Sequence, residues 1–126
     1  AEITPAPTPA AARTYLVFFD WDEAGLTDRA RSIVAVAAQA SGHTALTRIQ
    51  VSGYTDTSAA HPGPRGERYN MALSIKRAEA VKAELIRDGV AGSIIDVQGY
   101  GQTHPLVQTG LGVREPQNRR VEIVLR

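Results

Sequence analysis

The stretch from Arg48 to Val81 constrains this chain more than any other. Arg48-Ile49-Gln50-Val51-Ser52-Gly53 alternates as a strand and runs into Tyr54-Thr55-Asp56. A connector rich in Gly and Pro follows. Asn70-Met71-Ala72-Leu73-Ser74-Ile75-Lys76-Arg77-Ala78-Glu79-Ala80-Val81 then reads as a helix. The pattern puts a carboxylate at the end of a strand and an arginine in the second turn of the next helix. Leu73 lies one turn before Arg77 and Val81 one turn after, so Arg77 shares their side, away from Lys76, Glu79 and Arg87. A guanidinium beside a buried stripe needs a partner, because desolvating an unpaired charge is costly. Asp56 is the natural candidate for the same cleft. Two readings stay open on the spacing alone. One is a plain Asp56–Arg77 ion pair that serves only the fold. In the other, the two charges stand apart around a cleft and grip a zwitterion, the aspartate taking an ammonium and the arginine a carboxylate.

The rest of the chain supplies the layers around that unit. Residues 1–14 carry Pro5, Pro7 and Pro9 among alanines and lack apolar bulk, so they read as a linker or tail. The folded domain is expected over 15–126. Tyr15-Leu16-Val17-Phe18-Phe19 is a buried-strand pattern that ends in Asp20-Trp21-Asp22. Thr27 is a helix N-cap, followed by Ala30, Ile33, Val34 and Ala37 at helical spacing, with Gly42 as the stop. Asn70 is placed as the N-cap of the second helix, which runs to about Asp88 and stops at Gly89. Ile94 to Gly99 and Arg119 to Leu125 complete a β-α-β-α-β-β order. The expected class is α+β, with two main helices on one face of a mixed sheet. The pairing order of the strands does not follow from spacing.

Composition removes several function classes. The 126 residues hold 14 basic and 13 acidic side chains, for a formal net charge of +1. No basic stripe points to nucleic acid. No apolar run approaches the roughly 20 residues that span a bilayer, so direct membrane insertion by this segment is not expected. With no cysteine, disulfides, thiol catalysis and Cys-based zinc sites are excluded. His43, His61 and His104 lack metal-ligand spacing, and no Gly-x-Ser-x-Gly elbow occurs. Gly99-Tyr100-Gly101 opens no helix, so it is no dinucleotide fingerprint. No catalytic residue, metal or cofactor is expected.

Gly53-Tyr54-Thr55-Asp56, Asn70 to Val81 and Asn118-Arg119-Arg120-Val121-Glu122-Ile123 together resemble the OmpA-like C-terminal domain family. The resemblance covers about residues 15–126. It implies a mixed four-stranded sheet covered by helices. It also implies non-covalent binding of peptidoglycan through the diaminopimelate residue of its stem peptide. The family's ligand pair carries over to Asp56 and Arg77. Asn70 matches the family's Asn and is placed either in the site or as the helix cap. Thr55 can offer a hydroxyl beside Asp56 or be an ordinary strand-end residue. Asp20 and Trp21 end the first strand, where family members line the pocket; a solvated turn is the alternative. Arg119 and Arg120 read as structural or surface charges, with Glu122 beside Arg120.

The implied setting is the periplasm, with the linker leading to an outer-membrane barrel, a lipoprotein anchor or another upstream module. A stator-type or protein-interaction module, acting as a homodimer or docking on envelope partners, is the rival reading, and an enzyme on wall peptides the weaker one. Two departures from the family pattern stand out. The connector Ser58 to Arg68 is expanded and is expected to form a mobile flap of small residues, and Tyr54 replaces the family's usual His.

Overall fold

A computed structural model describes residues 13–42, 48–59 and 63–126. Most of the expected linker, His43 and His61 lie outside these residues. The elements are β1 (Arg13–Phe18), α1 (Asp28–Gly42), β2 (Ile49–Gly53), α2 (Pro64–Arg87), β3 (Ile95–Gly99) and β4 (Arg120–Leu125). Short 3-10 turns at Gly92–Ile94 and Pro116–Asn118 precede the last two strands. β1 begins at Arg13, two residues before the expected start.

The sheet order is β1-β4-β2-β3. β4 pairs antiparallel with β1 and with β2, while β2 and β3 run parallel. The fold is therefore α+β, a mixed four-stranded sheet with two helices, as the pattern predicts. β4 sits inside the sheet because it offers both its edges and a strictly alternating inner face. Val121 and Ile123 have no exposed surface and Leu125 is 4% exposed. Ile49 and Val51 of β2 and Val17 of β1 continue that face. Val34 and Ala37 of α1 and Ala78, Val81 and Leu85 of α2 cover it. Burying each such Val or Leu contributes about 1.5–3 kcal/mol.

Two glycines decide how closely α2 lies on the sheet. A Cβ at Gly53 would sit 1.9 Å from the Ser74 carbonyl oxygen, and one at Gly99 would sit 2.4 Å from Ile75 Cγ1. Only glycine permits this approach. It sets Ser74 against the end of β3, where its hydroxyl accepts from the Gly101 amide at 2.9 Å. The next turn of α2 then carries Arg77 to the sheet edge.

The helix ends match the expected stops but not the second start. Thr27 caps α1, its Oγ1 accepting from the Ala30 amide at 3.1 Å. α2 ends against Gly89 at φ 101°. The Gly89 and Val90 amides there donate to Ile86 and Leu85 carbonyls, each at 3.0 Å. The helix opens at Pro64, however, not at Asn70. Proline suits a first helical turn, where its missing N–H has no partner to lose. Asn70 therefore lies inside α2 rather than at its cap, and Arg77 is in the fourth turn rather than the second. Half of the expected flap is thus the start of a helix. Its first residue, Ser58, is also buried.

Candidate ligand site

β1, β2 and β3 all run toward one edge of the sheet, and β4 starts there. The segments after Phe18, Gly53 and Gly99 and before Arg120 are consequently neighbours. Backbone bonds lace them together: Phe19 N–H to Arg119 O (2.8 Å), Tyr54 N–H to Arg120 O (2.9 Å) and Thr55 N–H to Gly101 O (2.8 Å). The carboxyl ends of strands are a common place for ligands, because the loops there are free to vary on a fixed frame.

Asp56 is 3% exposed. Its Oδ1 accepts from the Ser58 amide at 3.0 Å and the Ser58 hydroxyl at 2.6 Å. Its Oδ2 accepts from the Glu115 amide at 3.2 Å and from Arg119 Nη1 at 3.2 Å. The ion-pair partner of Asp56 is therefore Arg119, and the plain Asp56–Arg77 bridge is not formed. Arg119 also donates from Nε to Phe19 O at 3.1 Å. The sequence reading missed this role. The signal needed was the β1-β4-β2 order, which brings the residue before β4 between the ends of β1 and β2.

Arg77 is 1% exposed and meets only neutral acceptors. Nε donates to Glu23 O at 2.8 Å, Nη1 to Tyr54 O at 3.1 Å and Nη2 to Asp20 O at 3.1 Å. Its guanidinium carbon lies 5.3 Å from the centre of the Phe19 ring. Burial lowers its pKa to about 10, an effect opposed by the nearby Asp56 charge and reinforced by Arg119. It stays a cation at neutral pH. The side chain fastens the β1–α1 segment to the end of β2.

The other expected residues divide. Thr55 is 2% exposed and its hydroxyl donates to the Asp56 carbonyl at 2.9 Å. Asn70 is 1% exposed, and its Nδ2 donates to Asp56 O and Ser58 O, each at 3.3 Å, and to Gln102 Oε1 at 2.9 Å. It supports the Asp56 segment from below. Trp21 covers the site, its Nε1 donating to Ser58 Oγ at 2.8 Å. The Asp20 side chain is exposed and borders a separate apolar cavity beside α1. Only its backbone carbonyl serves the site.

Thr55, Asp56, Asn70, Arg77, Arg119 and Trp21 all line one cavity of about 10 Å3. That volume holds about one water molecule. Two contacts close it. One is the Trp21–Ser58 bond, with the Arg114 guanidinium carbon 3.6 Å from the centre of the Trp21 ring. The other is the Tyr69 hydroxyl, which donates to Asp22 Oδ1 and whose pKa that bond raises. Asp22 holds the turn in a left-handed conformation at φ 58°. Among the described residues, no group of three or more His, Asp or Glu side chains is placed to hold a metal ion. The arrangement sets fixed opposite charges, Asp56 and Arg77, around one small buried cavity, a layout with the chemistry to hold a zwitterion.

A family model described as the OmpA family matches residues 18–119. The chain is 72% identical over 120 residues to an outer membrane protein of Gluconacetobacter diazotrophicus, covering 95% of this chain and 31% of that protein. It is 36% identical over 78 residues to the peptidoglycan-binding protein ArfA of Mycobacterium tuberculosis, covering 62% of this chain and 22% of that one. The crystal structure of the peptidoglycan-associated lipoprotein from Burkholderia pseudomallei superposes with a TM-score of 0.74 at 27% identity, covering 89% of this chain and 90% of that one. The chain thus spans a third or less of the length of these two curated relatives.

Proposed function

The chain belongs to the OmpA family, and we propose that this domain binds peptidoglycan without covalent chemistry, through the free end of a diaminopimelate residue in the stem peptide. In a longer envelope protein it would serve as the wall anchor, on the periplasmic side of the outer membrane. The observation that carries the reading is the state of Arg77. It is a buried cation with three neutral carbonyl partners and, among the described residues, no carboxylate within ion-pair distance. Three of its five N–H groups are committed, which leaves two for a ligand carboxylate. Asp56 lies in the same cavity and takes the ligand ammonium in exchange for Arg119. Diaminopimelate carries both groups on one carbon. The names of two relatives, a peptidoglycan-binding protein and a peptidoglycan-associated lipoprotein, support the same polymer.

Co-sedimentation with purified sacculi tests this directly. The wild-type chain should pellet with diaminopimelate-type sacculi, and free diaminopimelate should release it. A lysine blocked at both its α-amine and its α-carboxylate should compete far less well, because its side-chain amine has no carboxylate beside it and leaves the Arg77 cation unpaired. Asp56→Asn keeps much of the shape and removes the charge, so it should lose the pelleting. Equal competition by the blocked lysine and diaminopimelate, or normal pelleting of folded Asp56→Asn, would exclude this site.

A further inference from the structure

We propose that a groove leading from the Asp56–Arg77 site along the start of α2 receives the peptide stem to which the clamped amino acid belongs. The inference rests on the reading above and extends it from one residue to the chain that bears it. A recess of about 150 Å3 begins at Ala59, which also borders the ligand cavity. It shares Glu67 and Gln102 with a larger recess of about 510 Å3 between the first turns of α2 and Gly101–Thr103. The second volume alone falls in the range of roughly 300–1,000 Å3 found for small-molecule sites. The three spaces therefore border one another in succession along the start of α2, and a ligand clamped at one end has the other two beside it.

Both walls are fixed in place. The first is the extra helical length that begins at Pro64, contributed by the expanded connector. The second is the loop after β3. Thr57, next to Asp56, fastens that loop: the Gly112 amide donates to Thr57 O at 3.2 Å, and the Thr57 hydroxyl donates to Gly110 O at 2.8 Å. Asn70 ties the walls together through Gln102. A ligand in the groove meets a prepared surface, so little ordering is required on binding.

The lining offers a peptide both charges and neutral hydrogen-bonding groups. Gln102 and Thr103 offer hydrogen bonds to amides, Arg68 offers a cation to a ligand carboxylate, and Glu67, which lines both recesses, offers a carboxylate to a ligand amide or ammonium. Met71 is 37% exposed on the helix wall, and Leu111 is 85% exposed at the mouth of the smaller recess. An apolar side chain this open is covered when a ligand lies across it.

Calorimetry with two probes tests the groove: free diaminopimelate, and a soluble stem tetrapeptide containing it. The wild-type chain should bind the peptide at least tenfold more tightly than the amino acid. Arg68→Glu and Leu111→Asp, both at exposed positions, should each lower peptide affinity at least fivefold and leave the diaminopimelate affinity unchanged. Equal affinity for the two probes, or a peptide advantage that survives both substitutions, overturns the groove and leaves the diaminopimelate reading standing. If neither probe binds the wild-type chain, the function proposed above falls and the groove falls with it.

Discussion

Arg77 is expected to be as important for folding as for binding. Consider Arg77→Met, which keeps an unbranched stem against Phe19 and removes the guanidinium. Three carbonyls, at Asp20, Glu23 and Tyr54, lose their donor. Each orphaned buried acceptor costs about 1–3 kcal/mol. Against this, removing a buried cation recovers part of its desolvation cost, which is of order several kcal/mol. That cost is visible in the lowered pKa of about 10. The net destabilisation should be about 3–5 kcal/mol, within the range seen when a buried charged network is broken. At about 4 °C per kcal/mol for a domain of this size, Tm should fall by about 12–20 °C.

Urea unfolding at several pH values reads this out. Between about pH 6 and pH 9 the folded and unfolded states both keep the Arg77 proton, so the deficit of the variant should not change with pH. Above about pH 10 the unfolded chain holds that proton more tightly than the native one. Native stability of the wild type therefore gains relative to the variant as pH rises there. A loss below about 1 kcal/mol at pH 7 would refute the reasoning, since it would mean that the three carbonyls find other donors at no cost. A binding assay on an Arg77 or an Asp56 substitution must accordingly be paired with a folding assay, because Asp56→Asn also leaves Arg119 without its carboxylate and turns an amide N–H toward donors.

Gly53→Ala should destabilise the domain by about 3 kcal/mol in urea unfolding, because its Cβ would enter the Ser74 carbonyl and backbone cannot move away cheaply; a change within 0.5 kcal/mol (roughly the scatter of surface substitutions) would show that α2 shifts freely. Trp21→Phe removes the indole donor to Ser58 and Tyr69→Phe the donor to Asp22, so the double variant should raise the ligand on-rate several-fold in stopped-flow mixing, and an unchanged rate would show that these contacts do not gate entry. The exposed Arg48–Asp96 pair lowers the Asp96 pKa, chiefly through its hydrogen bonds. Its contribution is present above the ordinary aspartate range and is lost as pH falls through the lower native value. The stability gap between wild type and Asp96→Asn should therefore close on acidification below the ordinary aspartate range; a gap that widens there would reverse the sign of this argument.

The elements were legible where one local rule governs them. Alternation gave β2, β3 and β4 to within a residue or two, and Thr27 and Gly89 marked helix ends through their own capping chemistry. The start of α2 was not legible, because Asn70 has the composition of a cap while Pro64 and Gly63 also belong to loops. Tertiary contact decides between them: Asn70 Nδ2 is drawn inward to Asp56, Ser58 and Gln102. The helical face of Arg77 was correctly placed beside Leu73 and Val81, and its need for partners followed. Which partners it took was hidden, because backbone carbonyls carry no sequence signature. Arg119 was hidden for a related reason. It meets Asp56 across 63 residues through a strand order that spacing does not encode.

The closed cavity fixes what a ligand must accomplish. Trp21–Ser58 and Tyr69–Asp22 have to open before anything larger than a water enters. Each contact contributes about 0.5–1.5 kcal/mol. Together they hold the open form to a population lower by about 5- to 150-fold, and apparent affinity falls by the same factor. Arg77 is already held by three carbonyls on two segments and Asp56 by Ser58 and Glu115, so the one rearrangement within the clamp is the release of Arg119 from Asp56. On the proposed reading, specificity and gating rest on different residues. Charge and geometry at Asp56 and Arg77 would select the ligand, while Trp21 and Tyr69 would set how often the site is available.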